Sequence, residues 1–452
     1  MKRFISLFIA GIILILNINI FALTDTTLSD RTSTQININN EVKENQEIKT
    51  EDIRNQNILV PTKEGVQKAT AQEAEEINKY EKYSLEDLSK SYLLGDYESG
   101  KILEAYNIDE IRPMASTSKL VSIFVVLDKI KDGTISKTDT VTIDRESSLL
   151  GGSSFNLTEN EQTSVDNLIS AAMVVSGNDA ITALAKHISG SIDGFVVLMN
   201  KKCRDLGLKN AHMINPTGLT DYAAEDYNKM TTREMFILSC ELLKYYPEII
   251  NYTKGPFLKD ENRNFLEYNT NPILGIIPEI DGLKTGYTNA SGRTVISTGK
   301  KDGVSGKTKN IRLIGIVTGC RGDWQRYVAI RRLMSEGFDN YKYKIFGGQE
   351  KPIQNVRVED AQDDEIPIFI KTKGFALVNE KDEIKEDIVV NENLKAPIEA
   401  GSKVGKISYY ANGEMIFESD LIVRDKVYEK GFFHRLVRIY EEIFKNIEKE
   451  VK

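Results

Sequence analysis

Leu120 to Ile130 is apolar on nearly every face of a helical projection, after a polar start at Ser116. A helix hydrophobic all round must be enclosed by other elements, so this stretch predicts the centre of a domain rather than a surface helix. At 452 residues the chain has room for roughly three domains, and the pattern around the helix says what encloses it. Upstream, Tyr92 to Asp96 and Lys101 to Tyr106 are β-like runs flanking Glu98-Ser99-Gly100, a hairpin whose glycine can supply a positive φ. Downstream, Ser164 is a candidate N-cap for a helix carrying Val165, Leu168, Ile169, Ala172 and Met173 at helical spacing. Further helical patterns cover Ala180 to Ile188, Phe195 to Leu206 and Thr232 to Tyr246. Strand character returns at Thr294 to Thr298 and Ile311 to Thr318, before an amphipathic helix at Trp324 to Met334. This order predicts an α+β domain over 86–346. An antiparallel sheet is built from both ends of that segment, with a helical insert beside it.

The flanks read differently. From 350 to 425, short β runs alternate with turn residues, and Asn412-Gly413 is a strong hairpin signal, so a small β-sandwich-like domain is expected there. Residues 23–85 are read as a polar, disordered linker, rich in Thr, Asn, Gln, Glu and Lys to about residue 70, with helix-favouring residues from Glu73 to Lys90 that fit a short solvated helix. Lys2 and Arg3, the apolar run Phe4 to Leu16, and Ala22 form the pattern of a secretory signal peptide over 1–22. The other reading is an uncleaved anchor, since Phe4 to Leu23 is just long enough to span. Either way the bulk of the chain is expected to be exported. Over 430–452, Phe432, Leu436, Ile439, Tyr440, Ile443, Phe444, Ile447 and Val451 make an apolar stripe at helical spacing. An in-plane membrane helix and a helix packed on a protein surface both fit it.

Charge and rare residues exclude several functions. Against 59 Lys and Arg stand 67 Asp and Glu, a net charge of −8 that argues against a nucleic-acid partner. Cys203, Cys240 and Cys320 lie far apart, and His187, His212 and His434 are the only histidines. No disulfide framework, metal site or cofactor is therefore expected. Chemistry must come from other residue types.

Three short strings supply them: Ser116-Thr117-Ser118-Lys119 opening the buried helix, Ser176-Gly177-Asn178 between two helical patterns, and Lys284-Thr285-Gly286 leading into a turn before the strand at Thr294. A Ser hydroxyl is a weak nucleophile until a base takes its proton. On a helix, positions i and i+3 share a face, so Lys119 can reach Ser116, and burial beside Lys284 would depress its pKa. Ser176 could pass the proton to a leaving amine, while Asn178 could hold Lys119 or a substrate amide. Lys284 and Thr285 suit a substrate carboxylate. Gly286 allows close approach of a backbone, and the amides of Ser116 and Tyr287 are the natural oxyanion-hole pair. Two look-alikes, Ser297 to Lys300 and Ser154 to Asn156, are read as accidents; Ser297 lies in a strand pattern, where i+3 points to the opposite face.

Arg112-Pro-Met-Ala-Ser-Thr-Ser-Lys119, Gly151-Gly-Ser-Ser154, Val175-Ser-Gly-Asn-Asp-Ala180, Asn215-Pro-Thr-Gly-Leu219 and Asp281-Gly-Leu-Lys-Thr-Gly-Tyr-Thr288 resemble the serine-type D-alanyl-D-alanine carboxypeptidases, the low-molecular-mass penicillin-binding proteins. The resemblance spans about Tyr92 to Tyr341. It implies a β-lactamase/transpeptidase-like fold, removal of the terminal D-Ala from peptidoglycan stem peptides, and covalent inhibition by β-lactams at Ser116. It also raises the membrane reading of the C-terminal helix. The family often has His where this chain has Thr217, a departure expected to leave the three strings untouched. A β-lactamase would need a Glu-x-x-Leu-Asn string, and the nearest match, Glu225-Asp-Tyr-Asn228, is one residue short. An endopeptidase cutting cross-links would use the same residues, and an idle wall-binding scaffold would need none of them.

Overall fold

The computed structural model describes residues 58–432 and scattered positions from 436 to 447. The signal-peptide reading of 1–22, most of the linker and much of the C-terminal helix lie outside the described residues. Where the disordered-linker reading does reach them it is overturned, since Leu59–Thr62 and Gly65–Lys68 are strands; the helix-favouring stretch beyond is helical, at Ala71–Glu81 and Leu85–Leu88. Few apolar residues suffice because Val60, Ile77 and Leu88 are fully buried. Polar contacts add to this: Tyr327 donates to the Leu59 carbonyl (2.7 Å), Arg332 donates to that of Tyr83 (2.7 Å), and Arg331 pairs with Glu81.

The expected hairpin is present as β1 (Ser91–Asp96) and β2 (Ile102–Tyr106), with Gly100 at φ +70°. The apolar helix is α1 (Lys119–Lys131), followed by α2 (Val165–Val174), α3 (Asn178–Ser189), α4 (Ile192–Asp205) and α5 (Thr232–Tyr245). Ser164 caps α2 by accepting from the Asn167 amide (3.1 Å), and α5 opens on a capping box between Thr231 and Glu234. Every residue of α1 from Lys119 to Leu127 is buried, in a core shared with α2, α3, α4 and α5. Tyr246 meets Phe124 edge-on, centroids 5.6 Å apart.

The chain then returns as β3 (Ile280–Thr288), β4 (Gly292–Lys301), β5 (Ile311–Cys320) and α6 (Asp323–Asn340). The sheet order is β3-β4-β5-β1-β2, antiparallel throughout. The segment's first strand thus pairs with one from its end, Leu94 opposite Gly315. β3 is left at the edge, beside the turn that opens α1.

The C-terminal part is all β. It holds β6 (Tyr341–Gly347), β7 (Gln354–Val356), β8 (Ile366–Ile370), β9 (Lys373–Asn379), β10 (Ile384–Val390), β11 (Lys403–Ala411) and β12 (Glu414–Val423). Five strands form a sheet in the order β7-β8-β12-β11-β10 over Ile368, Val404, Ile407 and Leu421, while β9 pairs with β6 in a second sheet. The boundary at 346 is too late. β6 begins at Tyr341, pairs residue for residue with β9, and stacks Phe346 on Phe417 of β12 (5.7 Å). Among the described residues no single helix is long and apolar enough to cross a membrane. The described positions from 436 to 447 are helical, with Ile439, Tyr440 and Phe444 exposed.

Candidate active site

A tight turn, Ala115–Ser118, runs straight into α1. Its hydroxyls close it: Thr117 donates to the Met114 carbonyl (2.6 Å) and Ser118 to that of Ala115 (2.8 Å). The turn leaves Ser116 and Lys119 on one side, with Lys119 Nζ 2.9 Å from Ser116 Oγ. Two further acceptors surround the amine, Asn178 Oδ1 at 2.7 Å and the Thr217 carbonyl at 2.8 Å. Lys119 is fully buried, and burial first and the Lys284 charge second hold its pKa well below the ordinary lysine value, with Asp179 opposing. A neutral amine has two N–H bonds for the two carbonyl oxygens. Its lone pair is then left for the Ser116 hydroxyl.

The second string forms the corner between α2 and α3. Ser176 sits at φ +64°, a left-handed conformation that costs a non-glycine residue on the order of 1 kcal/mol and needs support from its surroundings. Asp179, three residues on, anchors the start of α3 to the loop at 154–157. Its buried carboxylate accepts from Ser154 Oγ (2.6 Å) and from the amides of Phe155 (2.9 Å), Leu157 (3.1 Å) and Ala180 (2.9 Å). Asn178 ties the same loop to the site by donating to the Gly151 carbonyl (2.8 Å). Ser176 Oγ is buried with no hydrogen-bond partner among the described residues, a hydroxyl held in reserve.

Lys284-Thr285-Gly286 lies within β3, which leads as expected through a turn at 289–291 into β4 and Thr294. A Cβ on Gly286 would stand 2.9 Å from the Ser116 amide nitrogen and 3.0 Å from the Met114 carbonyl, so only glycine lets the edge strand lie against the Ser116 turn. Thr285 donates to Thr270 Oγ1 (2.6 Å). Lys284 is buried, with the Thr285 carbonyl at 3.1 Å, and burial with the Arg326 charge pushes its pKa down to about 7. Tyr287, next along the strand, is 48% exposed.

The structure thus joins Ser116, Lys119 and Asn178 by direct contact and sets Gly286 against them. Ser176, Lys284 and Thr285 make no hydrogen bond to those three. Sequence reasoning missed several supporting residues. Thr217, expected to leave the strings untouched, gives Lys119 an acceptor; the contact is through backbone, which no side-chain comparison reveals. Gly218, at φ +87°, lies where a Cβ would be 1.9 Å from the Ala115 carbonyl oxygen. Arg326, its side chain 12% exposed, adds a second cation beside Lys284, with its Nε unpartnered. No spacing signal pointed to it. Of the look-alikes, Ser297 is buried near Asn271 Oδ1 (3.3 Å) and Lys300 pairs weakly with Asp302, whereas Ser154 serves the Asp179 clamp.

Comparison with known proteins gives a consistent result. The profile of the D-alanyl-D-alanine carboxypeptidase family matches residues 77–321, and that of the C-terminal domain of penicillin-binding protein 5 matches residues 341–429. The chain is 30% identical to the D-alanyl-D-alanine carboxypeptidase DacF of Bacillus subtilis over 360 residues, covering 77% of this chain and 88% of the relative. It is 32% identical to the carboxypeptidase DacA of Haemophilus influenzae over 359 residues, covering 77% and 87%. Among solved structures, penicillin-binding protein 5 from Haemophilus influenzae superposes with a TM-score of 0.56 at 31% identity, over 76% of this chain and 98% of that one.

Proposed function

The chain belongs to the D-alanyl-D-alanine carboxypeptidase family of serine peptidases, and from that premise we propose that Ser116 is the acylated nucleophile of an enzyme that trims the terminal D-Ala from peptidoglycan stem peptides. The observation that carries this reading is the 2.9 Å contact between Ser116 Oγ and the buried, charge-disfavoured amine of Lys119.

The contacts of Lys119 with Ser116 and Asn178 support an acyl-transfer reaction. Lys119 takes the Ser116 proton as Oγ attacks the carbonyl of the penultimate D-Ala, and the amides of Ser116 and Tyr287 receive the developing oxyanion. The C–N bond breaks as Ser176 relays a proton to the leaving amine. Its unpartnered hydroxyl supports that role. Lys284 and Thr285, with Arg326 behind them, hold the carboxylate of the departing D-Ala. Water then hydrolyses the ester and returns Ser116. A β-lactam would acylate the same oxygen.

The same reading sets the enzyme outside the cytoplasm. Lys2-Arg3 with the apolar run from Phe4 supports export, and exposed Ile439, Tyr440 and Phe444 support contact with a membrane surface through the C-terminal helix.

The test is D-Ala release from diacetyl-Lys-D-Ala-D-Ala by the purified protein, with intact mass measured after penicillin. Release together with a penicilloyl adduct on Ser116, both lost in Ser116→Ala, is expected. An adduct without release would favour cleavage of cross-links. A folded protein giving neither signal would leave the site an idle scaffold.

A further inference from the structure

We infer that the side chain of Tyr287, pinned on Arg293, selects the amino acid preceding the D-Ala-D-Ala pair by packing its exposed ring against that residue's aliphatic side chain. The inference rests on the carboxypeptidase reading and adds a determinant of substrate choice to it.

Direction along β3 comes first. Lys284 and Thr285 take the substrate's carboxylate end, Gly286 lies against the Ser116 turn, and the Tyr287 amide faces the scissile carbonyl. An extended peptide advances about 3.3 Å per residue. The residues on the acyl side therefore run on past Tyr287 toward Thr288 and Asn289. The burial pattern changes at the same point: Leu283, Lys284 and Thr285 are buried, while Tyr287 is 48% exposed.

Tyr287 is also pre-ordered. The Arg293 guanidinium carbon lies 3.7 Å from its ring centroid, covering one face, and the phenol donates to Asn289 Oδ1 (2.8 Å). Arg293 is in turn paired with Asp323 (2.9 Å), whose other oxygen accepts from Arg326 (2.9 Å). A mobile exposed ring would lose conformational freedom on gripping a ligand, and that loss would offset the contact. A ring already fixed by a stacked cation and a hydrogen bond avoids it, as rigid aromatic anchors do at binding surfaces. What such a face distinguishes is methylene surface: a long side chain on the preceding residue against none.

The experiment compares kcat/KM for D-Ala release from diacetyl-Lys-D-Ala-D-Ala and acetyl-Gly-D-Ala-D-Ala, in the wild-type protein, Tyr287→Phe and Tyr287→Ala. The wild type should prefer the lysyl peptide. Tyr287→Ala should shrink that preference about tenfold, and Tyr287→Phe, which keeps the ring on Arg293, should retain most of it. Equal losses on both peptides in Tyr287→Ala would overturn the inference, because disturbance of the backbone amide would explain them. A wild-type preference near one would overturn it too. Absence of release from either peptide by the wild type would sink the carboxypeptidase reading along with it.

Discussion

Lys119 Nζ lies 2.7 Å from Asn178 Oδ1 across 59 residues of sequence, and the other end of that amide is fixed by the Gly151 carbonyl at 2.8 Å. The asparagine therefore aims the amine. Asn178→Ala leaves Lys119 short of an acceptor in a buried site, and acylation by penicillin, followed by stopped-flow, should slow by roughly 10–100-fold. Asn178→Asp acts differently. A carboxylate there stabilises the charged amine, so the acidic limb of the acylation profile should move to higher pH.

Lys284 is expected to set the other limb. Its pKa is pushed down to about 7, so in the free enzyme it loses charge as the pH rises through that value. Binding of a free carboxylate should weaken accordingly. In Lys284→Arg the charge persists, and the alkaline limb of kcat/KM for the D-Ala-D-Ala peptide should shift upward by more than one pH unit. An unchanged limb would remove Lys284 from the carboxylate site.

The same lysine burdens the fold. It is buried with one hydrogen-bond acceptor, the Thr285 carbonyl, and a second cation beside it. Lys284→Met should raise Tm while abolishing D-Ala release, a trade of stability for function. The sign with pH follows from the depressed pKa. The unfolded lysine holds its proton up to about 10.5 and the folded one only to about 7, so wild-type stability gains as pH rises between those values. The Tm advantage of Lys284→Met should be greatest below pH 7 and shrink across that window.

Gly218→Ala tests the loop beneath the Ser116 turn. A Cβ there would meet the Ala115 carbonyl oxygen at 1.9 Å and Ser118 Oγ at 2.6 Å, on a backbone at φ +87°. The cost should be about 1–3 kcal/mol in urea unfolding. Penicillin acylation should slow as well, because the neighbouring Thr217 carbonyl would leave Lys119.

Much of this site was legible because its chemistry resides in side-chain types at fixed spacing. Ser116 and Lys119 are one helical turn apart, and Ser176 with Asn178 marks a corner between two apolar periodicities. What escaped was carried by backbone or by distance. The Thr217 carbonyl has no residue-type signature, and Asp179 works by collecting amides from a loop more than 20 residues earlier. Arg326 reaches Lys284 from a helix whose amphipathic pattern revealed only which face was buried. The strands at 59–68 were missed for a related reason. Val60 makes no core of its own, but its segment is held when it docks on a helix far along the chain, where Tyr327 meets the Leu59 carbonyl across 268 residues.

The sheet order β3-β4-β5-β1-β2 has a bearing on how the protein comes into being. Its central pairing joins residues 91–96 to 313–318, so the sheet is among the last things the chain can finish. Such long-range closure makes folding slow. A polypeptide interrupted before Ile311 would hold the serine, the lysine and all three strings, yet lack the strand that seats β1. The three strings therefore depend on a sheet that only the completed segment can close, and a copy ending before Ile311 is expected to lack activity.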